Sequence, residues 1–388
     1  MKENKKLVVL GVTGSIACVR AFDLVRELRR KGFEVQVVLS DSAREMASEQ
    51  ALEFASGRKV ISKISGAVEH VKFFGKKGKA VLLLIAPATA NTISKIAMGI
   101  DDTPVTTFAT IAIGAGKPVL LAPAMHEPMY EHPIVRENLA KLEKRGVRVI
   151  APLMEEGKAK LQNIEEIVFE AEKALSTGRL AGKKVLVASG AFQEKIDEIR
   201  VITNNSSGRM GLEIALECMR EEAEVKFIGN VAGGTFLEFD EVKNAEELEG
   251  KVLKELARGY DFFYCPAALP DFEVKKFAGK IGSAKKFALE LSPKKKLLEK
   301  IAGKFPKTKI IAFKAEHGKS NKELENIALK FLRARKVFAV VATDLKKFPL
   351  DAKRREMVFV SAGKKKWLKG TKEKIAKEIV ALLNAGTP

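Results

Sequence analysis

Leu7-Val8-Val9-Leu10-Gly11-Val12-Thr13-Gly14-Ser15-Ile16-Ala17 is an apolar run of strand length that breaks into glycine and hydroxyl residues. Ala21, Leu24, Val25 and Leu28 then recur at helical spacing, and Glu34–Leu39 returns to strand character. A buried strand, a tight glycine-bearing turn, a helix and a second strand form a β-α-β unit, and that unit decides the fold class. The rhythm continues with strands over Ala80–Ala86, Pro118–Ala122 and Val147–Ile150 and helices over Ala90–Met98, Ile134–Arg145 and Ile164–Leu175. It pauses at the polar joint Ser176–Gly182. It restarts with strands over Lys184–Ala188, Glu224–Ile228, Phe262–Cys265, Lys309–Phe313 and Val337–Ala342. Helices over Arg209–Arg220, Ala245–Ala257, Asn321–Arg335 and Lys372–Leu383 alternate with them. The expectation is an α/β protein of two domains, residues 1–178 and 179–388, each a mainly parallel sheet with helices on both faces.

The 388 residues, 46% hydrophobic and 30% charged, suffice for two such cores and exclude a disordered chain or a disulfide miniprotein. Cys18, Cys218 and Cys265 show no metal-ligand spacing and read as small buried hydrophobes in a reducing, cytoplasmic setting. Ala80–Ala88 is the longest apolar run and is too short for a bilayer, so no membrane partner is expected. The net charge of +20 divides into +6 for residues 1–180 and +14 for residues 181–388. Aromatics at 7% and a single tryptophan, Trp367, leave no stacking pattern among the basic runs, which argues against specific nucleic-acid binding. The runs Lys294–Lys296 and Lys364–Lys366 read as solvated faces.

Ligands of open parallel sheets gather beyond the carboxyl ends of the strands. After the first strand, Gly11, Thr13, Gly14, Ser15 and Ile16 can cradle a phosphate or simply make a tight turn; both readings fit. Ser40 follows the second strand. Pro87, Thr89 and Asn91 follow the third, with Asp102 and Thr106 further on; capping explains Thr89 and Asn91 equally well. Together these strand ends suggest a mononucleotide. His126 and His132 lie six apart, which is not the spacing of a helical metal pair. In the second half Asn204-Asn205-Ser206-Ser207-Gly208 opens a helix with more small donors than a cap requires, and so points to an anion. Cys265-Pro266-Ala267 leads to Asp271 and to a lysine series, Lys275, Lys276, Lys280, Lys285 and Lys286.

Taken in order, GVTGSIA, APATANTISKIA, PAMHEPMY, ITNNSSGRMG and AALPDF followed by GKI resemble the bifunctional phosphopantothenoylcysteine decarboxylase / phosphopantothenate–cysteine ligase family of coenzyme A biosynthesis. The resemblance runs from about Lys6 to about Leu383. It implies a flavodoxin-like first domain that binds FMN on Gly14, Ser15, Ser40 and the Pro87–Asn91 loop, with Asn91 and Thr106 as flavin contacts, and that forms trimers. The flavin oxidises the cysteinyl thiol, which eases loss of the carboxylate, and His70 matches the active-site histidine. His126 stands where the family has a carboxylate-binding asparagine. The stretch APLMEEGKAKLQN lacks the family's proton-donating cysteine, leaving Lys158 or Lys160 as candidates.

The same resemblance implies a dimeric, Rossmann-like second domain. It uses CTP and Mg2+ (or Mn2+) to activate 4′-phosphopantothenate as an acyl-cytidylate that L-cysteine attacks. Asn204 and Lys280 match its catalytic residues, and Cys265, Pro266, Ala267, Asp271, Phe313 and Lys330 its nucleotide contacts. Its K-x-K-K run is here Lys280-Ile281-Gly282-Ser283. No metal ligands can be named. The alternative is an FMN-binding regulatory or single-activity flavoprotein of the same decarboxylase group.

Overall fold

The computed structural model describes residues 5–384 apart from 232–235, 276, 283–287, 295 and 302. The chain divides between Ser176 and Thr177 into two compact units.

In the first unit the strands are β1 (Leu7–Val12), β2 (Glu34–Leu39), β3 (Ala80–Ala88), β4 (Val119–Pro123), β5 (Met125–His126), β6 (Arg148–Val149), β7 (Leu153–Glu155) and β8 (Lys158–Lys160). Five of them form a parallel sheet in the order β2-β1-β3-β4-β6. All six residues of β1 are buried, because helices cover both faces of the sheet. Alternate residues feed two cores: Val8, Leu10 and Val12 pack with the Ala21–Arg30 side, and Val9, Leu83 and Ile85 with the Pro104–Gly114 side. This is the flavodoxin-like order, and its crevice opens where the chain reverses direction, between β1 and β3. The remaining strands make a small antiparallel sheet, β5-β8-β7. Its hairpin turns on Glu156 and Gly157, both at positive φ, as a two-residue connection between twisted strands requires.

The second unit contains β9 (Lys184–Ser189), β10 (Gln193–Lys195), β11 (Val201–Thr203), β12 (Glu224–Gly229), β13 (Asp240–Glu241), β14 (Phe262–Cys265), β15 (Phe272–Val274), β16 (Leu291–Pro293), β17 (Lys309–Glu316), β18 (Ala339–Asp344), β19 (Arg355–Ser361) and β20 (Lys364–Gly370). Eight of these form one sheet, β13-β12-β9-β14-β17-β18-β19-β20. It is parallel through β18, then antiparallel in β19 and β20. Those last two strands were not foreseen, and the lysine run 364–366 proves to lie on the sheet edge. Lys365 pairs with Glu325 at 2.6 Å and Lys366 with Glu378 at 2.9 Å. Charged side chains on an edge strand discourage pairing with another chain. All three cysteines are free and buried, and burial pushes the Cys265 thiol up to about 12. Among the described residues no helix is long and apolar enough to cross a membrane.

Candidate active sites

Each unit carries a cleft at the carboxyl edge of its sheet. The first, ≈ 880 Å3, is bordered by Gly14–Ala17 after β1, Ser40–Ser42 after β2 and Thr89–Thr92 after β3. Met125, His126 and Met129 and hairpin residues Lys158–Leu161 form its other wall. Ser15, Ser40 and Thr89 each cap the helical turn that follows, accepting from the N–H groups of Ala17, Ala43 and Thr92. Capping and cleft lining therefore coexist in the same side chains. A Cβ on Gly14 would stand 2.4 Å from the Ser42 Cβ, so only glycine lets the first two loops touch.

Of the residues expected around this cleft, Gly14, Ser15, Ile16, Ser40, Thr89, Asn91 and His126 line it. Thr13, Pro87, Gly11 and Thr106 are buried behind the wall, and Asp102 is exposed outside the cleft. The Thr13 hydroxyl donates to the Pro87 carbonyl at 2.7 Å and accepts from the Thr89 N–H at 3.1 Å, tying the ends of β1 and β3 together. Gly11 lies under Val105, where a Cβ would meet its Cγ1 at 3.0 Å. Asp102 pairs with the cleft residue Lys95 at 2.7 Å. Buried Thr106 completes the capping box of helix Pro104–Gly114 with Thr103. His70 is also outside the cleft, on the short helix Glu69–Phe74 that packs against Pro104–Gly114, with a buried Nδ1 that has no partner. The Lys160 ammonium is held above the ordinary lysine range by its hydrogen bond to Glu156, with Glu155 adding to it.

The second cleft, ≈ 520 Å3, gathers Ser189 from β9, Asn204–Met210, Cys265–Asp271 after β14, Phe313–Ala315 in β17 and Thr343 in β18. Asn204 Nδ2 donates to the Leu269 carbonyl at 2.8 Å, which joins the helix-opening loop to the loop after β14. Gly208 sits at φ +68, and a Cβ there would meet the Asn230 carbonyl at 2.3 Å, so the turn before helix Arg209–Arg220 requires glycine. Asn204, Cys265, Pro266, Ala267, Asp271 and Phe313 thus meet in one place although they span residues 204 to 313.

Lys280 and Lys330 do not join them. Lys330 is exposed, and its neighbour Phe331 faces the cleft instead, because helical spacing turns adjacent residues to different sides. Lys280 is exposed on a loop anchored elsewhere, where Ile281 donates to Asp197 at 3.1 Å and accepts from Arg200 at 3.1 Å. Burial acts to raise the Asp197 carboxyl, but the N–H groups of Ile199, Arg200 and Ile281 and the Arg200 charge hold it at about 2. Lys276, Lys285 and Lys286 lie outside the described residues.

Six cations line the second cleft, none of them expected there from the sequence: Arg209, Lys314, Arg355, Lys372, and Lys294 and Lys296, whose run was read as a solvated face. Lys294 pairs with Glu194, Lys296 with Asp271 at 3.0 Å, Lys314 with Glu316 at 3.2 Å and Arg209 with Glu213 at 3.5 Å. Lysine runs carry little positional signal. Arg355 enters only through an antiparallel strand that periodicity did not show.

Fold and clefts together define a protein of two α/β units, one flavodoxin-like and one Rossmann-like, each with a ligand-sized cleft at the carboxyl edge of its sheet. Residues 1–176 match the family model described as Flavoprotein, and residues 180–386 that described as DNA/pantothenate metabolism flavoprotein C-terminal domain. The coenzyme A biosynthesis bifunctional protein CoaBC of Thermococcus kodakarensis is 44% identical over 380 residues, 96% of this chain and 94% of that protein. Its counterpart in Methanocaldococcus jannaschii is 36% identical over 382 residues, 97% of this chain and 93% of that protein. Among solved structures, the DNA/pantothenate metabolism flavoprotein of Streptococcus pneumoniae is 24% identical with a TM-score of 0.47, covering 53% of this chain and 100% of that one. The chain belongs to the CoaBC family of bifunctional coenzyme A biosynthesis proteins. It joins a phosphopantothenoylcysteine decarboxylase to a phosphopantothenate–cysteine ligase.

Proposed function

We propose that the first cleft holds FMN and that the second takes CTP, 4′-phosphopantothenate and L-cysteine in turn. The observation that carries this reading is the convergence of Asn204, Cys265–Asp271 and Phe313 on one cleft, with a separate cleft of mononucleotide size in the other unit. The residues of the first cleft fit the cofactor. Gly14 lets backbone N–H groups approach a phosphate, Ser15 and Ser40 add hydroxyls, and Ile16 and Met129 offer exposed apolar surface to a ring. When bound, FMN supplies the electron sink that makes loss of the substrate carboxylate easy.

His126 lies in the cleft and donates to that carboxylate. Lys158, at the same hairpin, has no ion pair among the described residues, whereas Lys160 is engaged by Glu155 and Glu156. Lys158 is therefore the better proton donor to the decarboxylated product. In the ligase unit Asn204 supports the acyl-cytidylate step. Mg2+ or Mn2+ would accompany the nucleotide, whose phosphate oxygens suit such a hard cation.

His70 and Lys280 both sit off the clefts of their own units, on surfaces with exposed apolar neighbours, Val68 and Val71 for one and Ile199 and Phe277 for the other. A homo-oligomer, trimeric through the decarboxylase units and dimeric through the ligase units, brings each to a neighbouring copy's cleft. Cytoplasmic location completes the reading.

The test is one incubation of purified protein with 4′-phosphopantothenate, cysteine, CTP and Mg2+, followed by mass spectrometry. 4′-Phosphopantetheine is the expected product. Arrest at 4′-phosphopantothenoylcysteine would overturn the assignment of the first cleft, and no condensation product at all that of the second.

A further inference from the structure

Of the six cations in the second cleft, Arg355 and Lys372 alone have no carboxylate within ion-pair distance among the described residues. Arg355 is 5% exposed, at the start of β19 and three strands along the sheet from β14. Because β19 runs antiparallel, its first residue reaches the edge where the parallel strands end. One guanidinium nitrogen, Nη2, donates to the carbonyls of Pro349 and Leu350, both at 3.2 Å, while the buried Nε has no partner. Lys372 shares the Leu350 carbonyl at 3.1 Å. Burial, followed by the charges of Arg355 and Arg209, pushes the Lys372 ammonium below its ordinary range. The acids that face Lys372 are Glu213, already paired with Arg209, and Asp351 on an exposed turn. Arg209 and Lys372 are also the first residues of helices Arg209–Arg220 and Lys372–Asn384, so two positive helix ends meet here.

An unpaired buried guanidinium costs several kcal/mol unless another group compensates it, on the order of the penalty for any desolvated ion. Here two carbonyls accept from Arg355 and, among the described residues, no carboxylate pairs with it, while Met210, Leu345 and Met357 lower the local dielectric. We infer that Arg355 and Lys372, with Arg209 at the rim, form a phosphate-ester subsite of the ligase cleft, occupied during turnover by a phosphate of a substrate. A planar fork beside an ammonium suits the dianionic head of a phosphate monoester. The inference rests on the ligase reading. The same chemistry can come from the terminal phosphate of the acid or from the nucleotide polyphosphate.

Full-length Arg355→Met and Lys372→Gln test it in two assays. In steady-state ligation each variant is expected to raise one phosphate substrate's KM about 10- to 100-fold, the loss of a charged hydrogen bond, with the KM for cysteine unchanged. A rise for 4′-phosphopantothenate alone assigns the subsite to the acid, and a rise for CTP alone to the nucleotide. Both values staying within about twofold of the parent in both variants would overturn it. In thermal unfolding, inorganic phosphate should raise the parent's Tm and not that of Arg355→Met, which exchanges an unpaired buried charge for an apolar side chain and so should fold. A phosphate shift that persists in both variants would also overturn the subsite. This second assay stands even where the parent ligates nothing, an outcome that would sink the ligase reading alone.

Discussion

In the first cleft several polar side chains already bind the protein itself: Ser15, Ser40 and Thr89 cap helical turns, Lys95 holds Asp102, and Lys160 holds Glu155 and Glu156, while His126 and Lys158 stay open. In the ligase cleft Arg355 and Lys372 face inward with only backbone carbonyls for partners. The first arrangement suits a cofactor that stays, held by backbone N–H groups and apolar contact and needing little charge from the protein. The second suits polyanionic substrates that arrive and leave each turnover, because uncompensated positive charge attracts them and is neutralised only while they are bound. The contrast also matches the split of +6 and +14 along the chain.

The strongest way to break this picture is to disable one cleft and watch the other. Asn204→Ala should lower cysteine ligation at least about 100-fold while the protein stays yellow and decarboxylates supplied substrate, since the oriented amide acts only in the ligase cleft. Loss of both activities in a folded protein would mean the clefts are not independent. His70→Asn should do the opposite, stopping carbon dioxide release with ligation kept. Gly14→Ala places a methyl group 2.4 Å from the Ser42 Cβ. It should cost the first unit about 1–3 kcal/mol and empty it of flavin, read as lost absorbance near the flavin bands with unchanged ligation.

A smaller effect sharpens the comparison directly. Raising ionic strength from about 0.05 to 0.3 M should increase the ligase KM for its phosphate substrates several-fold while flavin retention barely moves, because open charge is screened and backbone contacts are not. Equal sensitivity of the two halves would erase the distinction. The smallest effect concerns Asp197, whose carboxyl is held at about 2. A depressed carboxyl stabilises the folded state above its unfolded value of about 4 and loses that contribution as pH falls toward 2. Asp197→Asn should therefore flatten the acid limb of ligase-unit stability between those values, measured by Tm against pH.

Most of the architecture was legible in the sequence because each central strand is buried on both faces and reads as a continuous apolar run. Each covering helix shows a stripe such as Ala21, Leu24, Val25 and Leu28. The same local logic located Gly14, Ser15, Ser40, Thr89 and Asn91, since strand ends in a parallel sheet share one edge. Thr13 and Thr106 were legible as polar residues at that edge but not as links within the wall, because the direction of a hydroxyl depends on which carbonyl lies opposite. Strand β20 escaped because a lysine-rich edge strand, polar on its solvent side, lacks the apolar periodicity of a buried one, and β19 because its buried run Met357–Val360 is only four residues long between charged stretches.

By itself, then, the order of apolar runs and helical stripes determined two α/β units, since those features act over a few neighbouring residues, and the order of the motifs carried the family resemblance that implies the chemistry of each. Only the tertiary structure decided which side chains share a cleft. It turned Lys330 outward and Phe331 inward, set His70 and Lys280 off the clefts of their own units, and carried Arg355 on an antiparallel strand to the ligand edge. Such placements follow from strand order, strand direction and burial, which are properties of the packed sheet rather than of any local stretch of chain.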